Sequence, residues 1–197
     1  MTRARDNADL GDSYGALGAG VTGGSGLTAL ASNVDLSEIH CSTMFDLDTT
    51  HTGDAYVSGW SKMDTTGLGG AGSSVTTSGN NFLFPTTGVY KVDSVFKITN
   101  VVGNQDNQCN VQTIVSIDAG STDNHKFMGT VSWNQDPIES GGAYKSVSTS
   151  FLVNCSDTTN IVVKVTTASF GSASLAHGDA ATPATWISFT RISNHRT

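Results

Sequence analysis

The sequence predicts an all-β protein, an antiparallel jelly-roll β-sandwich behind an extended N-terminal arm. Three observations carry this. Charged residues make up 14% of the 197 residues, against roughly 25% in ordinary soluble domains. The polar share goes instead to Thr, Ser, Asn and Gly, and glutamate occurs only at Glu38 and Glu139. Thr is branched at Cβ, and Ser and Asn compete for backbone hydrogen bonds, so all three disfavour helix. The third observation is period. From residue 37 onward, short segments alternate apolar and polar side chains between turn residues.

A chain of 197 residues is long enough for one well-buried core and too short for two ordinary domains. Residues 1–36 differ in kind from the rest. Their centre, Gly15-Ala16-Leu17-Gly18-Ala19-Gly20-Val21-Thr22-Gly23-Gly24-Ser25-Gly26-Leu27, shows neither helical nor strand period. Glycine loses the most conformational freedom on ordering, so this stretch reads as an arm that orders only against a partner. Arg3, Arg5, Leu10, Tyr14, Leu17, Val21, Leu27 and Leu30 are its candidate partner-binding residues. Residues 37–197 are the jelly-roll domain.

Within that domain Ile39, Cys41, Thr43, Phe45 and Leu47 share one face of the first strand. Tyr90, Val92, Phe96 and Ile98 alternate with Lys91, Asp93 and Lys97. Cys109, Val111, Thr113, Val115 and Ile117 form a third inward row, and Phe127, Val131 and Trp133 a fourth. Val147, Thr149, Phe151 and Val153 precede Ile161, Val163 and Val165, and Trp186 to Ile192 closes the chain. Residues 65–79 and 169–183 read as irregular surface loops. Phe82, Tyr90, Phe96, Phe151, Trp186 and Phe189 are the candidate core and trimer residues, with Val115 and Val163 beside them. Cys41, Cys109 and Cys155 are odd in number and widely spaced. With no secretory signal at the start, they read as buried free thiols.

Three segments together resemble the trimeric jelly rolls of the tumour necrosis factor superfamily and the globular head of the first complement component. Phe82-Leu83-Phe84-Pro85-Thr86-Thr87-Gly88-Val89-Tyr90 is similar to the family's Phe-x-x-Pro-x-x-Gly-x-Tyr lead-in to a central strand. Tyr144 to Val165, around the polar turn Asn154–Asn160, is similar to its paired strands. Thr185 to Ile192 sits where the family has its closing strand, although Thr190 and Arg191 interrupt the usual apolar run. The resemblance spans residues 38–192 and implies a ten-strand-type jelly roll and a homotrimer. At the start, Arg3-Ala4-Arg5-Asp6-Asn7-Ala8-Asp9 resembles the opening of many tailed-bacteriophage virion proteins.

The remaining patterns argue against other classes. A net charge of −7 without a Lys/Arg cluster beyond Arg3 and Arg5 excludes a nucleic-acid groove, which needs concentrated positive charge. No apolar run approaches the ~18 residues of a membrane span, so no membrane insertion is expected. Gly18 to Gly23 and Gly67 to Gly72 match Gly-x-Gly-x-x-Gly, but neither has the strand before and helix after that a phosphate cradle requires. Asp46 to Asp54 begins like a calcium loop, with His51 where the central glycine belongs and Val57 where the bidentate glutamate belongs. Asp118 and Asp123 make another loose acidic loop. His40, His51, His125, His177 and His195 are scattered, without the close spacing of a zinc motif. No metal, cofactor or catalytic residue is expected. Asn154-Cys155-Ser156 is a glycosylation pattern that has meaning only with secretion. Tyr56, Trp60, Trp133 and Trp186 read as buried or interfacial anchors rather than a sugar-stacking surface.

The expectation is therefore a non-enzymatic virion protein on the outer surface of a phage particle, made in the host cytoplasm. Its partners would be two more copies of itself and the major capsid protein or another virion protein. The role is a capsid decoration or cement protein anchored by the arm. The alternative is a short head or tail fibre, or receptor-binding tip, that recognises a host surface glycan.

Overall fold

The structure is a computed structural model, and it describes residues 42–63, 73–100, 107–133, 143–171, 174–179, 181 and 183–194. All residues named for the arm, with Cys41, His40, His195 and the loop around Gly67 to Gly72, lie outside them. The described strands are β1 (Ser42–Leu47), β2 (Thr49–Thr52), β3 (Trp60–Lys62), β4 (Thr76–Ser78), β5 (Asn81–Leu83) and β6 (Gly88–Asn100). They continue with β7 (Gln108–Ser116), β8 (His125–Ser132), β9 (Ala143–Cys155), β10 (Val162–Ala168), β11 (Ser174–Asp179) and β12 (Trp186–Ser193).

One sheet runs β2-β11-β6-β12-β1-β3, with β9 on the other side of β6; the second runs β4-β5-β10-β7-β8. Every pairing is antiparallel. The long strand β6 shows why the sheets face each other. Tyr90, Val92, Ser94, Phe96 and Ile98 are buried, while Val89, Lys91, Asp93, Val95 and Lys97 keep solvent contact. Side chains of successive residues point to opposite faces, so the buried set can only face the other sheet.

Aromatic rings fill the centre. Phe82, from the five-stranded sheet, meets Phe45 at 5.1 Å, Trp60 at 5.5 Å and Phe189 at 5.1 Å, all from the seven-stranded sheet. Most of these contacts are edge-on or tilted, the arrangement that the ring quadrupole favours. Tyr90 packs on Phe84 at 4.5 Å, and its hydroxyl donates to the Thr86 carbonyl at 2.9 Å. That bond ties the Pro85–Gly88 turn to the strand it feeds. Nearer β9, Ser94, Thr113 and Thr149 gather their hydroxyls, with Ser94 Oγ and Thr149 Oγ1 2.7 Å apart. The cluster joins β6 and β9 to β7, and satisfies polar groups that burial would otherwise penalise.

The structure corrects several expectations. More strands are described than a ten-strand roll contains. Strand β11 lies within the stretch 169–183 expected to be irregular, and β4 within the loop expected at 65–79. Neither has apolar alternation. Both are held by backbone pairing to neighbours, β11 to β6 and β2, and β4 to β5. Ile117 lies past the end of β7 and is exposed. Trp186 is half-buried and outward, because its alternation with buried Ile187 turns it away from the core. Phe82, Tyr90, Phe96, Val115, Phe151, Val163 and Phe189 are buried. Cys109 and Cys155 are buried, and burial pushes the Cys155 thiol up to about 11.

Candidate functional site

The outward face of the seven-stranded sheet carries exposed apolar side chains. Tyr144 and Leu152 on β9 are 56% and 59% exposed, and Ile192 on β12 is 47% exposed. Val89, Val95, Met44 and Trp186 lie half-buried on the same face. Between them stand small side chains: Ser146, Ser148 and Ser150 on β9, and Ser188 and Thr190 on β12. The charges on this face are mostly matched within it. Lys91 pairs with Asp93 at 2.9 Å, Asp93 accepts from Ser150 at 2.6 Å, and the Lys97 ammonium lies 4.6 Å from the Tyr144 ring centre. Asp46, opposite Trp186 in the pairing, is buried, and that burial raises its carboxyl above the ordinary range.

Next to this face, β8 and β9 are the edge strands that close the sandwich along one side. Phe127 and Phe151 stack across the closure at 3.8 Å with 2° between their planes. Gly129 leaves room there for a Val147 methyl, which a Cβ would displace. Below the stacked rings the edges separate into a groove of about 270 Å³. Val115, Ile117, Phe127 and Ile161 line it from the five-stranded sheet, and Leu152 and Val153 from β9. His125 and Asn154 also contribute to its lining. The turns beside it carry Asp118 and Asp157, and they are joined by the Ala119 amide donating to the Asn160 carbonyl at 2.8 Å. Hydrogen bonds from Ser116 and Thr122 hold the Asp118 carboxyl down at about 2. The Thr159 amide and the Asn160 side chain hold Asp157 low.

No protein-family model matches the sequence, and no curated protein matches it. Solved structures do. The Eiger TNF of S. frugiperda superposes with a TM-score of 0.57 at 14% identity, over 80% of this chain and 96% of its own. Murine APRIL gives a TM-score of 0.53 at 16% identity, over 77% of this chain and 98% of its own. The chain has a TNF-like jelly-roll fold.

Within this TNF-like fold the described acidic and histidine residues do not converge. Among the described residues no group of three or more His, Cys, Asp or Glu is placed to hold a metal ion. The segment after Asp46 is a strand end, a short strand and a turn. His51 is half-buried, with Nε2 3.0 Å from Thr167 Oγ1, and its burial lowers its pKa. His125 is exposed and His177 half-buried. The four aromatics also separate. Trp60 and Trp133 are buried, Trp186 faces outward from the seven-stranded sheet, and Tyr56 pairs with Thr166 on the outer face of the other sheet.

Sequence reasoning missed a charge cluster on that outer face. Lys164 is 4% exposed at its side chain, and its ammonium reaches Asp123 at 2.8 Å, the Gly120 carbonyl at 2.7 Å and the Tyr56 hydroxyl at 3.2 Å. The Tyr56 hydroxyl donates to Asp123 at 2.9 Å, and Lys126 reaches the same carboxylate at 3.2 Å. Burial works against the Lys164 ammonium, but its bonds to Asp123 and Tyr56 outweigh that and raise its pKa. Burial likewise opposes the Asp123 carboxylate, and bonds from Lys164, Tyr56 and Lys126 hold it low. The signal was present as a single lysine inside the apolar run Ile161 to Val165. The cluster fastens the β7–β8 loop over the sheet.

Proposed function

We propose that the chain is a non-enzymatic, homotrimeric structural protein of a virus particle, a capsid decoration protein attached to the shell by residues 1–36. The observation that supports assembly most directly is the outward face of the seven-stranded sheet. Tyr144, Leu152 and Ile192 offer apolar contact there among Ser and Thr side chains small enough to admit a close neighbour. Exposed apolar side chains gathered on one face mark an interaction surface rather than ordinary surface scatter. The virion placement draws its support from the charged opening Arg3 to Asp9 and the glycine-rich run behind it.

Such an arm cannot cover its own apolar residues. Leu10, Tyr14, Leu17, Val21, Leu27 and Leu30 stand isolated among Gly, Ala, Ser and Thr. Ordering it costs about 1–2 kcal/mol per residue in backbone entropy, so contacts with a shell protein must offset that cost. Three arms per particle multiply modest contacts through effective concentration. Deleting residues 1–30 is expected to leave a folded trimer by light scattering that no longer binds virus particles in a co-sedimentation assay. Normal occupancy by the truncated protein would transfer attachment from the arm to the globular base.

A further inference from the structure

We infer that Asp46 couples assembly through the outward face of the seven-stranded sheet to proton uptake, one proton per subunit, so that the trimer tightens as pH falls. This rests on the trimeric reading and specifies how its assembly face is regulated. Asp46 alternates with buried Phe45 and Leu47, so its side chain belongs to the outward face. It stands there among apolar neighbours. Trp186 is its register partner on β12, Val95 is the partner of Trp186 on β6, and Met44 precedes it on the same side of β1. Despite facing away from the core, Asp46 is only 5% exposed.

Among the described residues no cation pairs with this carboxylate. On β6, Lys91 is paired with Asp93 at 2.9 Å, and the Lys97 ammonium lies 4.6 Å from the Tyr144 ring centre. On β3, Ser61 lies opposite Asp46 but donates to Asp48, and Lys62 donates to Ser74 at 2.8 Å. The charged residue of β12, Arg191, donates to the Thr87 carbonyl at 2.7 Å. On β11, His177 and Asp179 run beside β2, where Asp179 pairs with Thr49. The charge next to Asp46 along its own strand is Asp48, of the same sign.

A buried carboxyl beside a like charge favours its protonated form, and deeper burial favours that form further. The single subunit already holds Asp46 above the ordinary range, with burial the main cause and Asp48 adding to it. A second copy laid on Trp186, Val95 and Met44 excludes the remaining water, so the carboxyl takes up a proton as the contact forms. Below the free subunit's titration both states hold the proton, and association does not depend on pH. Above it the free subunit ionises first, so affinity falls as pH rises. The slope is about tenfold per pH unit for each proton, or about a thousandfold for three. Above the assembled form's titration both states are ionised and the dependence ends.

Sedimentation equilibrium of the full chain at an acidic and a neutral pH tests the coupling. The wild-type association constant should be larger at pH 5 than at pH 7.5 by about tenfold or more. Asp46→Asn keeps the shape of the side chain and every histidine but removes this titration. It should associate equally at both pH values, as tightly as wild type does at the acidic one. Asp48→Asn removes only the like charge and should shift the wild-type dependence to lower pH. Where the wild-type trimer stays closed at the lowest concentration, the rate of subunit exchange between two labelled preparations gives the same comparison. A wild-type trimer indifferent to pH, or a dependence that survives Asp46→Asn, would overturn the inference and leave the trimer standing. Weaker neutral-pH assembly of Asp46→Asn would also overturn it, since an ionised Asp46 would then be pairing with a cation of the second copy. A wild-type monomer at micromolar concentration and both pH values would remove the trimeric reading itself.

Discussion

Arg191 occupies the space that a side chain on Gly88 would need. A Cβ at Gly88 would fall 2.4 Å from Arg191 Nε and 2.9 Å from the Ser193 carbonyl oxygen. The guanidinium is held there by the Thr87 carbonyl at 2.7 Å and the Asn194 side chain at 3.2 Å. The arginine that interrupts the closing strand therefore turns inward and binds the turn leading into β6. The glycine of the Pro-x-x-Gly lead-in is needed for that close approach.

Gly88→Ala should consequently destabilise the fold by about 1–3 kcal/mol, the usual cost of forcing atoms into filled space. The backbone carbonyl of Ser193 cannot swing away as a side chain could. Urea denaturation of the two proteins measures the difference, and equal midpoints would mean that Arg191 relocates freely.

Phe151→Ala should cost about 3–5 kcal/mol. The ring is buried and stacks on Phe127 where the two sheet edges meet. Its loss opens the closure beside Val147 and Val153, so the midpoint of chemical denaturation should fall. A near-neutral result would place the ring outside the cooperative core.

Removing either partner of the buried ion pair should have unequal effects. Asp123→Asn leaves the Lys164 ammonium almost fully buried with neutral partners, whereas Lys164→Met leaves a partly exposed carboxylate that still has Lys126 and Tyr56. Unpaired buried charge is the expensive case, so Asp123→Asn should be the more destabilising, by about 1–2 kcal/mol over Lys164→Met. Thermal melts of the two variants decide it, and the reverse order would refute the argument.

The same pair sets a pH window. Asp123 is held below its ordinary 3.8, so its contribution is present above that value and is lost as pH falls through the depressed value. Lys164 is held above its ordinary 10.5, so its contribution is present below that value and is lost as pH rises through the raised one. The stabilisation should be flat between these limits and vanish from difference curves against a Lys164→Met/Asp123→Asn double variant.

Asp118 offers a spectroscopic check on the turn beside the groove. Its carboxyl should titrate near 2 by NMR, because Ser116 and Thr122 donate to the ionised form. Ser116→Ala should move that titration upward towards 3.8. A value near 3.8 in the unmodified protein would show that the turn is open in solution.

Much of this architecture was legible in the chain itself. Alternation from Tyr90 to Ile98 determined which side chains face inward, because a strand offers only two faces and burial selects the apolar one. Phe96, Phe151 and Phe189 were readable as core on that ground alone, whereas Phe82 came from the resemblance of the lead-in Phe82 to Tyr90. Strands such as β4 and β11 were not, since their own residues carry little periodic signal and their neighbours supply the backbone partners. Tertiary structure also decided where the interrupting residues go. Arg191 turns inward against Gly88, and Lys164 is buried against Asp123, a residue 41 positions away by numbering (164 − 123). The groove between β8 and β9 has the same origin, because Leu152 and Val153 on one sheet meet Val115, Ile117 and Phe127 on the other only when the two sheets close. Local periodicity determines a side chain's face, whereas the partner it meets there depends on chain closure over long separations.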